Sequence, residues 1–436
     1  MDLGGATVLP GLVDPHLHLF ALAARDAHLD CARFDTVDML LVAVAARARA
    51  LPPGTWVRGE GLDEVRLGRL PYARELDAAA PGHPVRLRHR SRHASVLNGR
   101  ALRCLGPSPG VERIHGVPTG LVSGREELLS RRVGPLPRAD LEAGLATAAH
   151  ALAARGVTTV ADATPRTWIA LAPLRRVMAA GRFPLRVFAM RPSPRSHWRP
   201  TPRLAPGPVK IMVQEEGTRL RPNPATLARR IRAAADAGVP VAVHCLGTAT
   251  LVAALAAFAA LPAAVRRRAR HRLEHVAECP PPLVARIARL GLAVVTNPAL
   301  VRERGDVYLA DPDGPPAAWL YRAASLAAAG VPLAAASDAP VTPLDPWLGM
   351  ATARTRRTAI GRVLGGSERL TSAAALGLFT TGAAWSLGAD GLGRLVPGGA
   401  ADLIAVEPDP LRATPDELHT TRVRLAMVGG EVVFSR

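Results

Sequence analysis

The chain has 436 residues, of which 48% are hydrophobic and 21% charged, with 39 glycines and 40 prolines spread without a period. That composition excludes a disordered or collagen-like protein and suffices for a barrel-sized core with an appendage. The formal net charge is +19, but the arginines are dispersed and aromatic residues make up only 4%, too few for a base-stacking platform, so no nucleic-acid partner is expected.

In chain order, residues 7–13 read as a first strand, and the distance to the next strand is too long for one crossover. Residues 51–125 contain Pro52-Pro53-Gly54 and strand-like runs at 56–59 and 85–88, the pattern of an inserted subdomain or lid. From residue 140 onward, β-branched runs alternate with Ala/Leu/Arg helices. Strands are expected at 157–160, 185–190, 209–213, 241–244, 272–276, 292–296 and 333–337. Helices are expected at 141–155, 225–237, 249–261, 283–290 and 317–329. Gly156, Gly238, Gly291 and Gly330 each stand just before a strand, where a helix-ending glycine belongs. Residues 191–208 are too proline-rich for a normal helix.

Eight strands alternating with helices predict an α/β fold, a (β/α)8 TIM barrel, with an insertion after strand one and a small, reduced β-sandwich appendage. The expected division is 1–50 for the first barrel strand and helix with a residual N-terminal β segment, 51–125 for the insertion, 126–392 for the remaining barrel and 393–436 for the appendage. In the appendage, residues 393–407 and 421–434 alternate like antiparallel strands, with Gly429-Gly430 as a hairpin turn. Four dispersed cysteines without a C-x-x-C pair argue against disulfides and fit a reducing cytoplasm. Neither a secretion signal nor a membrane span is evident; the longest weakly polar run, 249–265, is mostly alanine and interrupted by Pro262.

Chemistry is suggested first by Asp14-Pro15-His16-Leu17-His18 at the end of strand one. Residues i and i+2 of a strand share a face, so His16 and His18 both aim into the barrel mouth. Lys210 falls on strand four, His244 and His275 end strands five and six, and Asp338 ends strand eight. Strand ends converge at the C-terminal face of such barrels, and core packing alone rarely spaces His, His and Asp at βα intervals. Imidazoles suit zinc and related divalent ions.

Lys210 is the one lysine among 55 basic residues. A buried lysine amine loses its proton and reacts with CO2 to give a carbamate that bridges two cations; a guanidinium cannot. The expected centre therefore holds two divalent ions, zinc foremost. His16, His18 and Asp338 hold one ion, His244 and His275 the other, and carbamylated Lys210 holds both. Asp338 is the expected catalytic residue, taking the proton of a metal-bound water as that water attacks. His93 and Asn98 in the insertion, and Asn297 after strand seven, are candidate substrate contacts. Glu215 and Glu216 are read as solvated loop carboxylates.

These residues resemble the amidohydrolase superfamily, and within it the YtcJ-like branch that includes N-substituted formamide deformylase. The resemblance runs through Val8-Leu9-Pro10-Gly11-Leu12-Val13-Asp14-Pro15-His16-Leu17-His18, His93-Ala94-Ser95-Val96-Leu97-Asn98 and Val209-Lys210-Ile211. It continues through His244, Leu273-Glu274-His275, Ser337-Asp338-Ala339-Pro340-Val341 and Gly398-Gly399-Ala400-Ala401-Asp402-Leu403. It implies a metal-dependent hydrolase of C–N bonds other than peptide bonds, acting on a small molecule, and points to a homodimer. Where family members follow the lysine strand with Asp-Gly, this chain has Gln214-Glu215-Glu216-Gly217. The leading reading is attack of a metal-bound hydroxide on an amide-type bond at a binuclear site bridged by carbamylated Lys210. The alternatives are a mononuclear deaminase of a heterocyclic base, disfavoured by Lys210, and a degenerate barrel acting as a basic binding module.

Overall fold

Eight strands form one sheet in the order in which the chain meets them: β1 (Leu12–Leu17), β2 (Val157–Asp162), β3 (Arg186–Arg191), β4 (Leu204–Met212), β5 (Val241–Cys245), β6 (Arg272–His275), β7 (Ala293–Thr296) and β8 (Leu333–Ala335). The computed structural model describes residues 3–91, 93–107, 110–164, 171–196 and 198–436. All neighbouring strands are parallel. Just beyond the strands, the Asp338 N–H donates to the His16 carbonyl (2.9 Å) and the His18 N–H to the Ala339 carbonyl (2.8 Å). These bonds bring the two edges together at the C-terminal mouth. At the opposite end the Val13 N–H donates instead to Phe379, between helices Ser372–Leu378 and Thr381–Ser386. The result is a (β/α)8 barrel, as the alternation of elements predicted.

Strands buried on both faces read as continuous apolar runs. Val209, Ile211, Val241, Val243, Leu273 and Val294 face outward and pack on Leu227, Ile231, Leu251, Leu255, Phe258 and Ile287 of the surrounding helices. Strand parity then turns Lys210, Ala242, His244, Arg272 and Glu274 inward; the register pairs Lys210 with Ala242, Ala242 with Arg272, and His244 with Glu274. The core thus fixes which side chains enter the barrel. Gly156 and Gly291 end their helices at φ 82° and 65°, a left-handed backbone that glycine adopts without strain.

Several elements depart from the sequence reading. Residues 7–13 are two strands. Thr7–Pro10 pairs antiparallel with Leu403–Glu407, and Leu12 opens β1. With Arg422–Val428 and Glu431–Ser435 these make a four-stranded sheet, whose last two strands turn at Gly429-Gly430. Strand structure in the appendage begins at Leu403 rather than near 393. A helix, Pro298–Ala310, follows β7 where none was expected, with Pro298 pre-set for the first helical position. The helix expected over 317–329 is split into Ala317–Trp319 and Ala323–Ala328, because Tyr321 takes a left-handed backbone (φ 48°).

The chain divides into two compact units: residues to Leu22 together with Leu145–Arg436, and Ala23–Gly144. The second is wider than the insertion expected at 51–125. Helix Val37–Arg49 belongs to it, since Val37, Leu40 and Val44 pack with Leu76, Val85 and Leu87. Its six-stranded sheet runs from Leu29–Asp30 through Val57–Leu62, Val85–His89, Ala94–Leu97 and Val117–Ser123 to Val111–Ile114.

Gly11 separates the appendage strand from β1, and a Cβ there would lie 2.3 Å from Thr158 Oγ1. Gly11→Ala should therefore cost about 2 kcal/mol in urea unfolding. Adding Thr158→Ala should return part of that loss; an unchanged midpoint for Gly11→Ala would refute the clash.

Candidate metal centre

The four histidines singled out in the sequence form a contiguous row at the mouth. Ring centroids are 5.7 Å apart for His18 and His16, 5.0 Å for His16 and His275, and 4.6 Å for His275 and His244. Lys210 joins them, its Nζ 3.0 Å from His16 Nε2. Asp338 Oδ1 lies 3.3 Å from His18 Nε2 and 3.7 Å from His16 Nε2. All six side chains therefore meet. One ligand atom each from His16, His18 and Asp338 can be chosen so that all lie within 4.8 Å of one another, a spacing suited to one cation.

Local backbone geometry aims these groups. Along β6, Arg272 and Glu274 face inward and Leu273 outward, so alternation alone would send His275 outward with Leu273. A left-handed backbone at His275 (φ 69°) and Val276 (φ 49°) ends the strand and redirects the ring. The turn is held by the Val276 N–H donating to Cys245 (3.0 Å). Asp338 is also left-handed (φ 58°), fixed by its N–H bond to His16. Such conformations persist where surrounding contacts over-determine them. Asp14 braces the same turn, accepting from the Ser337 N–H (3.2 Å) and hydroxyl (2.5 Å).

Burial keeps the His16, His244 and His275 imidazoles neutral. Burial, aided by the Lys210 charge, pushes His16 down to about 3. Burial and His275 push His244 down to about 2. Burial lowers Lys210 from 10.5 to about 8, against the pull of Glu274 and Asp338, so much of its amine is free near pH 8. Burial pushes the Asp338 carboxyl up, but the His18, His275 and His16 imidazoles outweigh it and hold it well below the usual carboxylate range.

Hydrogen bonds fix which ring nitrogen is available. Asn297 Nδ2 donates to the Ala336 carbonyl (3.0 Å), so its Oδ1 accepts from His275 Nδ1–H (2.6 Å) and leaves Nε2 as the lone-pair nitrogen. His16 Nδ1 meets the Glu274 carboxylate, whose other oxygen accepts from Arg272 Nε (2.6 Å). Asp338 Oδ1 is buried without a hydrogen-bond partner among the described residues. Neutral imidazoles, oriented nitrogens and an orphaned carboxylate oxygen form a donor set that fits a divalent cation.

The remaining candidates fare differently. Asn98 is buried inside the unit Ala23–Gly144 and caps helix Gly99–Leu105. It accepts from the Ala101 N–H (2.9 Å) and Val85 N–H (3.0 Å) and donates to the His83 carbonyl (2.9 Å). Those bonds engage both its oxygen and its nitrogen within the unit. His93 is exposed on the same unit. Asn297 is fully buried behind His275, so it positions a ring instead of lining the mouth. Glu215 and Glu216 are exposed on a short hairpin with Arg219–Arg221. Sequence reasoning gave no role to Arg272 and Glu274, both fully buried. Two charged residues at i and i+2 of a barrel strand were the available signal, because both must then enter the interior.

Residues 1–434 match the model of the amidohydrolase family. The chain belongs to that family. It is 27% identical to the putative amidohydrolase YtcJ of Bacillus subtilis and 29% identical to the N-substituted formamide deformylase of Arthrobacter pascens, in both cases over all of this chain and 90% of the relative. Its fold is also that of a solved metal-dependent hydrolase from Pyrococcus horikoshii (TM-score 0.80, 24% identity, covering 95% of this chain and 89% of the other). A second, from Pyrococcus furiosus, matches with TM-score 0.78 and 26% identity over 94% and 89%. The protein is thus a metal-dependent hydrolase of C–N bonds. Among the described residues, no helix is long and apolar enough to cross a membrane.

Two outcomes follow from this geometry. Asn297→Ala should weaken zinc binding roughly 10- to 100-fold in chelator competition, because His275 loses the group that orients it. In metal-stripped, CO2-free protein, the folded-state value of Lys210 near 8 lies below its ordinary 10.5. The unfolded chain therefore holds more protons between those values, and stability should rise with pH across that window, by up to about 3 kcal/mol relative to Lys210→Met. A flat difference between the two chains would show that the amine is not desolvated.

Proposed function

We propose that His16, His18 and Asp338 hold one divalent ion, zinc foremost, and His244 and His275 a second, with Lys210 carbamylated between them. The reaction is hydrolysis of an amide-type C–N bond in a small N-acyl or N-formyl compound. The observation that carries this reading is the buried Lys210 amine 3.0 Å from His16 Nε2, beside a contiguous row of four imidazoles. An ammonium would be a poor neighbour for bound cations; a carbamate, formed when the free amine adds CO2 and releases a proton, is an anionic one. When bound, divalent ions acidify a coordinated water towards neutrality and polarise a carbonyl.

The chain's own groups then manage orientation and protons. Asp338 is ionised and buried, and among the described residues its Oδ1 has no well-aligned hydrogen-bond partner, so it can accept a proton from the attacking water. The same carboxyl can pass that proton to the departing nitrogen, so that the acid and the amine leave with one water consumed. His18, only partly buried beside Asp338, orients the carboxylate at the open side of the cluster. The Arthrobacter pascens relative is named for N-substituted formamides. N-formyl and N-acyl amines are therefore the first compounds to test.

Lys210→Ala should lose at least one of two ions in elemental analysis and abolish hydrolysis, with partial recovery on adding short carboxylic acids. Lys210→Arg should fail equally, since it keeps charge but cannot carry the carbamate. Intact-mass measurement of the wild type should show a species heavier by one CO2 that disappears on acidification. Full metal content in Lys210→Ala would overturn the bridging role.

A further inference from the structure

Barrel interiors are ordinarily filled by branched aliphatic side chains. Here β6 instead sends Arg272 and Glu274 inward, and both are fully buried. Every polar atom of the pair is committed. Arg272 Nε donates to Glu274 Oε1 (2.6 Å), one terminal nitrogen to the Pro15 carbonyl (2.8 Å), and the other to the Ser386 carbonyl and hydroxyl (3.4 Å each). Glu274 Oε2 meets His16 Nδ1. Strands β7 and β8 separate β6 from β1 in the sheet, so the pair reaches across the barrel and grips two successive residues: the Pro15 carbonyl and the His16 ring.

Stability does not account for such a pair. A buried ion pair rarely outperforms well-packed apolar side chains of similar size, because two charges must first be desolvated. Its distinctive effect is on the imidazole. The Glu274 carboxylate can only accept, so His16 carries its proton on Nδ1 and leaves Nε2 as a lone pair facing Lys210 and Asp338. Arg272 in turn fixes where Glu274 sits: its Nε donates to Oε1, so Oε2 is the oxygen left to meet His16. Pro15 has no N–H to offer a neighbouring strand, and its carbonyl is turned to the guanidinium instead.

We propose that Glu274, locked by Arg272, is a positioning residue that sets the tautomer and ring orientation of His16 and so presents Nε2 for metal binding. This rests on the reading of His16 as a metal ligand. The experiment uses metal-stripped full-length chains titrated with zinc against a chelator, with 15N NMR of the histidine rings before zinc is added.

Glu274→Gln keeps the shape, but its amide oxygen is drawn to Arg272 and its NH2 turns to His16 Nδ1. The proton then moves to Nε2, and zinc affinity should fall at least tenfold. Glu274→Asp, which keeps the charge, should retain the Nδ1–H tautomer and recover part of the affinity. The Arg272→Met, Glu274→Leu double variant should unfold at a denaturant concentration no lower than the wild type, yet bind zinc at least tenfold more weakly. Wild-type affinity and tautomer in Glu274→Gln, or a double variant that is less stable but binds zinc normally, would overturn the positioning role and leave the metal centre standing. A wild-type chain that takes up no zinc would overturn both.

Discussion

Burying Lys210 beside His16 obliges the surrounding side chains to balance one another. An amine, a guanidinium, two carboxylates and four imidazoles share the interior of one barrel, and none is tolerated there without a counterpart. His16, His244 and His275 respond by staying neutral, Glu274 and Asp338 by staying ionised, and Lys210 by shedding part of its hold on a proton. Those three responses define a site poised for cations. Each also depends on the apolar wall behind β4 and β5, which keeps water from screening the charges.

The bonds that draw the mouth together also set the ligand spacing. Asp338 donates its N–H to the carbonyl of His16, and His18 donates to Ala339, so three candidate ligands are tied by backbone bonds between β1 and the segment after β8. At the other end of the barrel, Phe379 takes the bond that β8 would have made to β1. The two edges therefore meet where the chemistry is and part where helices fill the gap. A small shift of β1 along the barrel would move His16, His18 and the Asp338 backbone together, preserving their mutual geometry while changing their distance from Lys210.

Much of this was legible in the residues themselves. The barrel could be read because helix-ending glycines and β-branched runs recur at each βα unit, and strand-end positions were enough to collect all six ligand candidates. What escaped has identifiable causes. Gly11 hides a boundary between two strands that hydropathy reads as one. Helix Val37–Arg49 was assigned to the barrel because its own sequence does not say which core it joins; only Leu76, Val85 and Leu87 decide that. Asn98 and Asn297 are both buried polar residues near motif positions, and sequence cannot distinguish a helix cap from a brace behind a histidine. Arg272 and Glu274 were passed over because charge on a strand usually signals an exposed face, whereas every face of a barrel strand is covered.

The two candidate ligands with left-handed backbones, His275 and Asp338, show how the site and the scaffold share one design. Such conformations cost on the order of 1–3 kcal/mol each for non-glycine residues. Glycine would remove the strain but also the imidazole or carboxylate, so at these positions the side chain's chemistry outweighs the backbone's preference. Within the cluster, the strain falls on residues that leave β6 and β8, where the chain must turn from sheet to loop in any case. Barrel strands supply rigid directions of approach, and a single left-handed residue at the strand end converts an outward-facing position into an inward-facing one. A fold built on strict alternation thereby brings adjacent strand-end residues, Glu274 and His275, to the same cluster, one bonded to His16 Nδ1 and the other packed beside the His16 and His244 rings.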